Sequence, residues 1–116
     1  MIAYLVLLAS LGFVIFVEGL LNPFWLWNAL PIVHTAAWLF RARRRETSTT
    51  PAAAFGVGAV GVTLHAHLAW WFDWGSLATG SSTAAFLFIV LPCMAVAAGL
   101  ICWGVARLAL FVRQRA

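Results

Sequence analysis

Lysine is absent from this 116-residue chain, and acids are nearly so: Glu18, Glu46 and Asp73 are its only carboxylate side chains. Charged residues make up 9% of the sequence and apolar ones 65%, against about 25% charged in soluble domains. A water-soluble fold of this length could not hide that much apolar surface, because much of any small folded protein stays wet. Catalytic signatures are missing too. The chain has no H-E-x-x-H zinc motif, no G-x-S-x-G elbow, no phosphate-binding loop and no C-x-x-C. Its cysteines, Cys93 and Cys102, lie nine residues apart, about 13 Å along one helix. A disulfide needs Cα atoms within about 7 Å, so the two read as small apolar core residues. Hydrolase and thiol-redox chemistry are thereby disfavoured, and the expectation is a protein that is not an enzyme.

What the chain does have is four apolar stretches with every basic residue on one side of them. Arg41, Arg43, Arg44 and Arg45 separate the second stretch from the third, and Arg107, Arg113 and Arg115 close the fourth. Arginine in short cytoplasmic segments orients membrane helices. The expected fold is therefore an all-α integral membrane four-helix bundle in a bacterial cytoplasmic (inner) membrane, with both termini inside. Its spans fall at about 2–21, 23–40, 51–75 and 82–106, each near the ~20 apolar residues needed to cross ~30 Å of hydrocarbon. Runs apolar on every face exclude a β-barrel.

The connections are short: an outer turn at Asn22-Pro23, an inner loop at 46–51, and an outer loop at 74–83 with Ser81 or Ser82 as N-cap. Trp25, Trp27, Trp70, Trp71 and Trp74 fall at the outer interface, and Trp38 and Trp103 toward the inner one. Indoles prefer the headgroup level, so this signal agrees with the arginines. The first stretch lacks a basic n-region and an A-x-A-like site, and is expected to be a span rather than a signal peptide. The net charge of +4 sits in two juxtamembrane clusters. It suits anionic lipid headgroups and not nucleic acid.

Gly56-Val57-Gly58-Ala59-Val60-Gly61 spells G-x-G-x-x-G, yet a dinucleotide site needs a preceding strand and a helix start. Inside a span, small residues let helices approach closely, so Ala54, Gly58 and Gly61 are expected to form a packing stripe. One turn on lies His65. His34 and His65 each count to about 15 Å below the outer ends of their spans, and ionisable groups at such depth suggest function. Together they could ligate haem b or a metal ion, with Cys93 as a third ligand. His67 points about 200° away from His65 around the helix and would serve a different site.

Glu18, Asp73 and His67 offer that second site, a proton relay for a small carrier or channel. In size, span number and a carboxylate on its first helix, the chain resembles the small multidrug-resistance transporters. Those place their glutamate deep in the helix, whereas Glu18 lies about 5 Å from the outer boundary, and no family is assigned. Glu18 and Asp73 are expected to reach headgroup water. Pro31 and Pro92 should kink their helices and free a carbonyl one turn earlier, and Asn28 should bond between helices. Three functions follow. The first is a packing partner: an accessory, assembly or protective (immunity-like) subunit bound to another membrane protein or to itself as a homo-oligomer. The second is a haem or metal redox module on His34 and His65. The third is a carrier on Glu18, Asp73 and His67.

Overall fold

A computed structural model describes residues 1–80 and 85–115. All of its regular structure is helical: α1 (Ile2–Glu18), α2 (Phe24–Asn28), α3 (Leu30–Arg44), α4 (Thr50–Trp71) and α5 (Ala85–Arg115), with a 3-10 turn at Trp74–Ser76 between α4 and α5. There is no strand among the described residues, so the glycine cluster at 56–61 lies within α4 and lacks the context of a nucleotide fingerprint. By length and composition, α4 and α5 are long and apolar enough to cross a membrane, and α1 is a shorter apolar helix.

The helix ends depart from the expected spans for identifiable reasons. α1 stops at Glu18, not near residue 21, because Gly19 turns to φ 84° while its N–H donates to the Ile15 carbonyl; glycine reaches that region without a Cβ penalty. The second stretch is split at Ala29. Pro31 has no amide hydrogen, and the Ile32 and Val33 amides both donate to the Ala29 carbonyl at 3.0 Å, which tightens one turn while the backbone stays right-handed. α3 then runs past residue 40 to Arg44, since arginine is a good helix former. It closes with Glu46 at φ 51° and the Thr47 amide donating to the Ala42 carbonyl, the pattern of a Schellman cap. α4 ends at Trp71, short of residue 75, because Asp73 enters the left-handed region at φ 49°. α5 continues to Arg115, about 46 Å of helix and longer than the hydrocarbon needs. The expected start of the fourth span and its cap at Ser81 or Ser82 lie outside the described residues.

α4 is the hub: it packs most extensively against α5 and also against α3 and α1. The α4–α5 contact depends on small residues. A Cβ on Gly58 would stand 2.6 Å from the Ala98 carbonyl oxygen, and one on Gly99 would stand 2.7 Å from the Phe55 ring. The expected stripe is thus half right, because a Cβ on Gly61 would meet nothing within 4 Å. On the other side of α4, Leu7 and Val14 of α1 and Ile32 and Leu39 of α3 form a core with Ala52 and Val60. α2 leans on α5, where the Trp27 indole donates to the Ile89 carbonyl at 2.9 Å. That bond falls next to the Phe88 carbonyl, whose helical donor Pro92 removes.

Candidate functional site

Only one acidic side chain meets a basic one inside the bundle among the described residues. His67 Nε2 lies 2.6 Å from Glu18 Oε1, with the His67 side chain fully buried and that of Glu18 6% exposed. The local structure explains the meeting. Glu18 is the last residue of α1, and His67 lies four residues before the end of α4, about 6 Å or just over one turn below it, so both stand near the same end. Three helices close around them, since the Phe88 ring of α5 packs edge-on to the imidazole at 5.1 Å.

Hydrogen-bond chemistry settles the imidazole's tautomer. Nδ1 lies 2.7 Å from the Thr63 carbonyl, and a carbonyl oxygen only accepts, so Nδ1 carries a hydrogen. Nε2 and Oε1 therefore share one further proton, either as imidazolium and carboxylate or as neutral imidazole and carboxylic acid. Both arrangements are neutral overall, which is what makes the pair tolerable in an apolar bundle. A carboxylate alone at the C-terminus of α1 would face the negative end of the helix dipole, whereas a cation in the last turn of α4 is favoured there. The pair is chemically a proton-holding cross-link between α1 and α4.

The other anticipated residues lie elsewhere. Asp73 does not join Glu18 and His67. Its Oδ2 accepts the Thr79 hydroxyl at 2.6 Å, and its Oδ1 accepts the amides of Ala78 at 2.7 Å and Thr79 at 3.2 Å. The Thr79 hydroxyl, more than the two amides, holds its carboxyl below the usual carboxylate range, against a smaller opposing effect of desolvation. Glu18 does not reach headgroup water as anticipated; the imidazole captures it.

His34 and His65 are both exposed and belong to different neighbourhoods. His34 packs on Trp38 and Phe55, and His65 on Trp74. Phe55 and His65 are ten residues apart on α4, about 15 Å, so the structure does not bring the two imidazoles to one level. With α4 ending at Trp71, His65 stands only six residues, about 9 Å, from that helix end, and not at the middle of the helix. Cys93 is exposed on α5 and is not the core residue expected, while Cys102 is partly buried against Gly58. No three His, Cys, Asp or Glu side chains gather as a metal site among the described residues. Asn28 is fully buried, yet neither atom of its amide finds a hydrogen-bond partner among them, so the interhelical bond expected of it is not made.

A signal for the Glu18–His67 pair was present in the sequence. Had the third span been ended at the Trp70-Trp71 pair, His67 would have counted to the same depth as Glu18. Comparison with protein families, with curated proteins and with solved structures found no match to this chain.

Proposed function

We propose that the chain is a four-span bundle of a bacterial cytoplasmic membrane, N-in and C-in, that works by packing against another membrane-embedded helix. In this reading α1 and the α2–α3 pair also span, and the protein is an accessory or assembly subunit without catalysis. The observation that carries it is an open apolar groove of about 280 Å³ where α1, α3 and α4 meet, walled by Ala3, Val6, Leu7, Val57 and Gly61. Small residues without neighbours let a further helix approach closely, and in lipid such packing drives association. The outward faces support the membrane setting, with Leu8, Phe16, Ile101 and Val105 each exposed by more than half; soluble monomers seldom show such continuous apolar surface.

The test is a photo-crosslinking residue placed at Val57 or Gly61 in living membranes, with Val105 as a control on α5. A discrete protein adduct from the groove positions alone supports the proposal, and an adduct at twice the chain's mass identifies the partner as a second copy. Lipid adducts only, at all three positions, would reject it.

A second reading rests on the Glu18–His67 pair, which holds a transferable proton. A proton-coupled carrier would use these two residues, and flux into proteoliposomes would cease in Glu18→Gln. The pair's burial from solvent favours the packing role.

A further inference from the structure

A large open cavity lies at the opposite end from Glu18 and His67. It is a cleft of about 1230 Å³ between the ends of α3 and α5 and the start of α4. Arg41 enters it from α3, Arg45 from the cap just beyond that helix, and Arg107 from α5. No carboxylate lines it, and no arginine is ion-paired among the described residues. Of the three, Arg107 rests on a ring: its guanidinium lies 5.9 Å from the centre of the Trp103 ring, and Trp103 stacks on Trp38 at 6.2 Å. Both indoles line the cleft, as does Phe111.

Such a site is cationic at its rim and aromatic along its wall. Guanidinium groups match phosphate oxygens in a planar, two-point fashion, and three uncompensated positive charges call for an anion. The apolar wall calls for a hydrocarbon chain attached to that anion. Arg107 stands 22 residues along α5 from Ala85, about 33 Å, which is the headgroup level across a ~30 Å core. Basic pockets between spans on the cytoplasmic side are suited to anionic headgroups.

We infer that this cleft binds the phosphate of an anionic phospholipid, with Arg41, Arg45 and Arg107 on the headgroup and Trp38, Trp103 and Phe111 along the chain. The inference rests on the membrane reading above but not on the groove or its partner.

Tryptophan emission reports on the cleft because two indoles line it. The experiment titrates the detergent-solubilised protein with dioctanoyl phosphatidylglycerol, dioctanoyl phosphatidylcholine and glycerol 3-phosphate. The expected result is a saturable change with dioctanoyl phosphatidylglycerol alone. Each of Arg41→Gln, Arg45→Gln and Arg107→Gln should weaken it about fivefold, the equivalent of ~1 kcal/mol per arginine near an anionic surface. Arg43→Gln and Arg44→Gln, outside the cleft, should leave it unchanged.

Equal response to the choline lipid overturns the proposal, as does equal loss in the two control variants. Saturation by glycerol 3-phosphate with the same affinity also overturns it, in favour of a soluble phosphate ligand. If the cleft variants do not fold, native mass spectrometry of the unaltered protein from mixed lipid decides. Selective retention of one phosphatidylglycerol supports the site, and retention in proportion to the mixture rejects it. Recovery of the chain in water without detergent would sink the membrane reading, a result distinct from any lipid preference.

Discussion

At the scale of single residues, the molecule turns on one proton held between His67 and Glu18. The Thr63 carbonyl occupies Nδ1, so any replacement of Glu18 must still satisfy Nε2. Glu18→Gln can donate an amide hydrogen to it and should cost less than about 1 kcal/mol. Glu18→Ala leaves Nε2 buried without a partner, costing about 1–3 kcal/mol. His67→Ala strands a carboxylate in the bundle and should cost most, about 3–5 kcal/mol. Thermal unfolding in detergent checks this ranking; glutamine proving as harmful as alanine would refute the shared-proton geometry. Asp73 behaves differently because it organises a loop. Its carboxyl titrates lower in the fold than in the unfolded chain, so its contribution is complete above about pH 4 and fades as pH falls through the depressed value. Amide exchange at Ala78 and Thr79 should accelerate over that acid range in the native protein but be fast at every pH in Asp73→Ala.

At the scale of elements, close approach explains why α4 and α5 form the main interface and why only part of the glycine cluster matters. Gly58 faces the α5 backbone, and Gly61 faces open space. Gly58→Ala must push a backbone carbonyl aside and should destabilise by about 1–3 kcal/mol. Gly61→Ala meets no atom of its own chain and, in the detergent-isolated monomer with the groove empty, gains helix propensity of up to about 1 kcal/mol. Opposite signs in the two melting shifts of that monomer are the expected outcome; a loss at both positions in the monomer would mean that α4 is rotated from the geometry described. Stop signals also belong to this scale. Gly19 is the kind of residue that a left-handed turn selects, and so was legible in the sequence. The turns at Glu46 and Asp73 were not, because non-glycine residues enter that region only when surrounding bonds hold them there.

At the scale of the whole molecule, charge is sorted end to end. Arg41, Arg45 and Arg107 share one cleft. Arg43 lies 4.9 Å from the centre of the Tyr4 ring, which places the start of α1 at that same end. Glu18 and His67 occupy the other. This arrangement agrees with the topology proposed above, and a thiol scan tests it. With Cys93 and Cys102 replaced by Ala, single cysteines at Gln114 and Ser48 should resist a membrane-impermeant maleimide in intact cells, whereas one at Gly75 should react. The reverse pattern would invert the topology, and labelling at all three would argue against a membrane barrier between them.

The apolar composition, the helical class and the one-sidedness of the arginines were decided by the sequence alone, because they depend on which residues occur and in what order. Tertiary structure decided which polar groups meet. A helix position has depth and azimuth, and sequence counting assigns both relative to helix ends that backbone turns then move. Shifting the end of α4 from Gly75 to Trp71 separated His34 from His65, and it brought His67 level with Glu18. The arginine cleft likewise exists only because α3 and α5, distant in sequence, end side by side.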